Sequence, residues 1–78
     1  MRTDILESLV MKYQSEMAMA SSNIKTYMLN SSGIGEHADV VEAVEEQVKR
    51  FNEASEMVNT LSFLLDSMNE ESDANTGH

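Results

Sequence analysis

Between residues 36 and 46 the chain reads EHADVVEAVEE, which places Glu36, His37, Asp39, Glu42, Glu45 and Glu46 within three turns of a helix. Carboxylates at this density are the oxygen donors that a divalent cation such as magnesium takes. A bound cation of that kind activates water, so a metal-dependent helical hydrolase is one reading of the cluster. That chemistry needs acids converging from facing elements. The only acids available upstream are Asp4, Glu7 and Glu16, which lie at the far end or at mid-length of the preceding segment. The preferred reading is therefore acids at a helix start followed by a solvated face. His37 reads as a cap or turn residue, and His78 lies in a polar end segment. No Ser has an evident His and acid partner, and Gly33-Ile34-Gly35 lacks the lysine and preceding strand of a phosphate loop. Asn30-Ser31-Ser32 reads as helix-end chemistry rather than a glycosylation site. No catalytic residue, metal or cofactor is expected, and the chain reads as non-enzymatic.

The elements that carry these residues are helical. Among 78 residues there is no proline and no cysteine, and two of the three glycines sit together at 33 and 35. Ala, Met, Leu, Glu, Lys and Gln are common, which favours helix over sheet. From Leu6 the apolar positions Val10, Tyr13, Met17, Ala20, Ile24 and Tyr27 recur at alternating spacings of four and three. This predicts a first helix over about 4–30, with Asp4 as cap and Glu7 completing a capping box. A loop over 31–35 follows, with Gly33, Ile34, Gly35 and His37 forming the hairpin hinge. A second helix is predicted over about 36–68, its seam running through Val41, Val44, Val48, Phe51, Ser55, Val58, Leu61, Leu65 and Met68. Asp39, Glu42, Glu46, Glu53 and Glu56 form its opposite, acidic face, with Glu45–Lys49 and Glu46–Arg50 as four-apart ion pairs. Residues 69–78 are polar and aperiodic and read as a disordered acidic tail.

The expected fold class is all-α: an antiparallel, coiled-coil-like two-helix hairpin. If the turn centres near residue 33, Ile24 meets Val41, Ala20 meets Val44, Met17 meets Val48 and Tyr13 meets Phe51. Such a hairpin buries only one stripe, and small folds without disulfides commonly rely on association. The expectation is a homodimer, forming a four-helix bundle with the first helices near its centre, or a higher oligomer. Met57, Leu61, Phe63, Leu64, Leu65 and Met68 are the residues expected to self-associate.

The net charge of −9, from 14 acids against 5 bases, repels phosphate backbones and anionic lipid. Direct nucleic-acid or membrane binding is not expected. Self and possibly another protein remain as partners. A second reading takes the acidic stripe as the surface of an antagonist that binds a basic host protein in the manner of a nucleic acid. MRTDILESLV lacks the core of a signal peptide, so a cytoplasmic location is expected.

The hinge carries a resemblance. Leu29-Asn30, Gly33-Ile34-Gly35-Glu36-His37, Asp39 and Val41-Glu42-Ala43 resemble short uncharacterised helical proteins of tailed bacteriophages, including those of cyanobacteria. In that group a first helix leads through a GIGEH-P-D turn into an acidic second helix, and Ala38 stands here where proline is usual. The resemblance implies a viral accessory protein made in a bacterial cytoplasm, with His37 as the cap of the second helix. It implies no activity.

Overall fold

The computed structural model describes residues 2–30 and 38–76, and the side-chain surroundings of 2–30 and 39–70. Its described residues form two helices and no strand: α1, Asp4–Asn30, and α2, Ala38–Thr76. The expected hinge at Gly33, Ile34, Gly35 and His37 lies outside the described residues, as does Glu36.

The two helices pack along their length as an antiparallel hairpin, 66 Å in its long dimension and 14 Å across. Contacts fix the direction. Asn23 meets Gln47 while Glu16, a turn or two earlier on α1, meets Arg50, later on α2. These pairs have residue numbers summing to 70 and 66, close to the sum of 66 that a turn centred at residue 33 gives. The loop end is flush. At the other end α2 runs past the start of α1, being 39 residues long against 27. That surplus amounts to roughly three turns. The polar stretch from 69, expected to be an unstructured tail, is helical through Thr76. Extending an existing helix needs no new nucleus, so even weak helix formers can continue one.

The helix start differs by one residue from the expectation. The Glu7 N–H donates to the Thr3 carbonyl at 2.9 Å, the first intrahelical bond, so Thr3 occupies the cap and Asp4 is the first helical residue. Asp4 nevertheless serves the helix end. Arg2 Nη2 donates to its carboxylate at 2.8 Å, and Arg2 Nε at 3.3 Å. That hydrogen bond holds the exposed Asp4 carboxyl below the ordinary aspartate range, helped by the Asp4 and Ile5 amides and opposed by slight desolvation. The depressed value means that the contribution to helix stability is complete above the ordinary aspartate value. It is lost as pH falls through the lower folded value. A carbon-13 carboxyl titration should find Asp4 protonating below the ordinary aspartate pH, and Arg2→Ala should move it back up.

The covered seam is narrow. Among the described residues, Ala20, Ala54 and Leu61 are the buried apolar ones, at 0, 2 and 4% exposure. On α2 the line facing α1 passes through Val40, Gln47, Ala54, Leu61 and Met68, each seven residues apart, with Ala43, Arg50 and Met57 beside it. This corrects the expected seam. Val41 is 67% exposed, Val48 50% and Phe51 36%, so α2 is turned about one residue away from the register that would bury them. The expected pairings of Ile24 with Val41 and Met17 with Val48 are not the core. Alanines on both helices let the backbones approach, and Leu61 closes the far end. On α1 the expected stripe is half-buried or better from Leu6 to Ile24, whereas Tyr27 is exposed.

Candidate functional site

A hairpin of two helices has two flanks, and here they differ in chemistry. On one flank the seam is polar. Arg50 Nε donates to Glu16 Oε1 at 2.8 Å, and Arg50 Nη2 lies 4.0 Å from Met19 Sδ. Asn23 Nδ2 donates to Gln47 Oε1 at 3.1 Å. Arg50 thus reaches across the hairpin rather than back to Glu46, the four-apart partner expected for it. Around this ion pair lies an open cleft of about 410 Å³, edged by Tyr13, Glu46, Lys49 and Glu53. Its acids, Glu16, Glu46 and Glu53, outnumber its bases, Lys49 and Arg50, by one, and its lining contains no nucleophile with a base beside it. About a third of each Arg50 and Glu16 side chain stays exposed, so water screens the pair. A double-mutant cycle of Glu16→Ala and Arg50→Ala, read by urea melts, should give a coupling of about 0.5–1 kcal/mol. It should shrink in high salt.

The opposite flank is apolar. Four residues after Leu6, Tyr13 and Ala20 stand Val10, Met17 and Ile24; four after Val40, Gln47 and Ala54 stand Val44, Phe51 and Val58. In an antiparallel pair, positions displaced the same way from the seam come to the same side. The structure shows this directly: Ile24, Ser21, Val48 and Phe51 line one groove of about 270 Å³, with Lys25 at its edge. The periodic stripe of α2 seen in the sequence therefore exists, but it forms this flank. The signal that separates flank from seam is the seven-residue spacing of Ala54 and Leu61 together with the charge complement of Glu16 and Arg50.

The residues expected to self-associate do not share one surface. Leu61 is buried against α1, and Met57, Leu65 and Met68 are half-buried. Phe63, two residues from Leu61, is 69% exposed on the far side of α2, and Leu64 is 37% exposed. The acidic residues Asp39, Glu42, Glu46, Glu53 and Glu56 are all exposed. Among the described residues no three or more His, Asp or Glu side chains come together where a metal ion could sit. Nor is any described helix long and apolar enough to cross a membrane. The sequence matches no protein-family model, no curated protein and no solved structure.

Proposed function

We propose that this chain is a non-enzymatic helical protein that works by association, first with itself as a homodimer in a four-helix bundle and through that assembly in a structural or protein-interaction role. One observation carries the reading. Among the described residues three, two of them alanines, form the buried apolar core, while Val41, Val48, Phe51 and Phe63 are left in water. A single chain with so little burial gains little to offset the conformational entropy of two long helices. A four-helix bundle supplies the missing burial. The resemblance of the hinge to tailed-phage proteins supports a viral accessory role in a bacterial cytoplasm.

Mass action tests this reading. Folding coupled to association makes the helix melting temperature rise with protein concentration. A circular-dichroism melt that does not move over a hundredfold concentration range would sink it.

The exposure of Asp39, Glu42, Glu46, Glu53 and Glu56 supports a second reading, an acidic surface that occupies a basic protein. That reading requires a salt-sensitive complex abolished by Glu42→Lys, Glu46→Lys and Glu53→Lys together. Unchanged binding by the triple variant would remove it.

A further inference from the structure

We propose that the second copy of this chain docks on the apolar flank built by Met17, Ile24, Val44, Val48, Phe51 and Val58 and continuing to Leu65, and not on the side of α2 that carries Phe63. The inference rests on the self-association proposed above and adds its address.

Area comes first. The chain exposes 5800 Å², whereas a compact folded protein of its mass exposes roughly 4,700 Å². The difference, about 1,100 Å², is more than the roughly 800 Å² that each partner covers in a stable interface. From Val41 to Leu65 the flank is about 36 Å long at 1.5 Å per residue, and two packed helices are roughly 20 Å wide. That footprint of about 700 Å² is of the size a dimer needs. The Phe63 side of α2 offers no comparable face, because Phe63 lies across the helix from the buried Leu61 and exposes its ring with only Leu64 as an exposed large apolar neighbour.

Charge then selects a second copy over an unrelated partner. Two chains of net charge −9 repel wherever their acids meet. The six flank residues include no ionisable group, and the acidic positions Glu42, Glu46, Glu53 and Glu56 lie off their line. The flank is thus an uncharged strip on which two copies can approach, with Lys25 and Glu45 as the charges at its edge. A two-fold axis through its middle sets Met17 and Phe51 of one copy near those of the other, an isologous arrangement. It completes a four-helix bundle and leaves the acidic stripe outside.

Val48→Glu with Phe51→Glu tests the address, since both positions are already exposed in the single hairpin. Sedimentation equilibrium should show association weakened on the order of a hundredfold or more against wild type. Phe63→Glu should dimerise as wild type does. Because the double variant could also lose helix, cross-linking supplies an independent readout. The chain has no cysteine, so Ser55→Cys, on the flank line, and Ser15→Cys, on the outer face of α1, each carry a single thiol. A short bismaleimide should join Ser55→Cys into covalent dimers and leave Ser15→Cys monomeric. A wild-type dimer that survives the double substitution, or that cross-links through Ser15→Cys and not Ser55→Cys, overturns the flank while self-association stands. A wild-type monomer overturns both, and the flank would then belong to a different protein.

Discussion

Leu61→Ala is expected to lower stability by about 2–5 kcal/mol, the range for deleting a buried leucine and leaving a cavity. Among the described residues Leu61 is the one large side chain that the hairpin buries, at 4% exposure. A domain of this length has roughly 4–12 kcal/mol in all, so the variant should be largely unfolded at moderate temperature. The comparison that gives the result its meaning is Phe63→Ala. Phe63 is the larger side chain, two residues away and 69% exposed. Its truncation is expected to change stability by no more than about 0.5 kcal/mol, as for other surface sites. Urea melts of both variants at one fixed concentration decide between them. A larger loss for Phe63→Ala would place the seam of α2 on its other face.

Ala20→Phe should be nearly as damaging, for the opposite reason. Ala20 has no exposed surface. A phenyl ring there must push the helices apart along a seam whose closest approach depends on methyl groups. Overpacking of this kind costs about 1–3 kcal/mol. It should also stretch the Asn23–Gln47 and Glu16–Arg50 contacts that flank Ala20. Ala18→Phe provides the control, since Ala18 is exposed on the same helix and carries the same change in helix propensity. It should be near neutral, within about 0.5 kcal/mol. Equal destabilisation by the two would mean that no close approach exists at Ala20.

How much of this was legible beforehand depended on the kind of signal. The helical class followed from composition and from periodic apolar residues, and the hairpin from two of the three glycines sitting together at 33 and 35. The stripe of α1 from Leu6 to Ile24 was readable because its alternating four-and-three spacing is unbroken. The rotation of α2 was not. Its apolar residues cover more than one face, with Val40, Val41, Val44, Val48 and Phe51 all available, and hydrophobicity alone favours the bulkier set. What wins is the line of Ala54 and Leu61, where small size rather than hydrophobicity permits close packing. The cross-helix partners Glu16 and Arg50 carried the same information, and were masked by Glu46, a plausible partner one turn from Arg50. A tail reading from residue 69 rested on polarity, which does not distinguish a solvated helix from coil; the helix continues to Thr76. Of the candidate sites, the acids Asp39, Glu42, Glu46, Glu53 and Glu56 are exposed, and two of them, Glu46 and Glu53, edge the polar cleft. The apolar flank went unseen because its residues were assigned to the seam.

The central claim is that this hairpin completes its core with copies of itself. Static light scattering on the intact chain across micromolar to millimolar concentration tests it most directly. The predicted result is a mass of twice the 8.7 kDa single chain, or a higher multiple, falling toward the single-chain value on dilution as helix content falls with it. A fully helical species holding at 8.7 kDa throughout the range would contradict it.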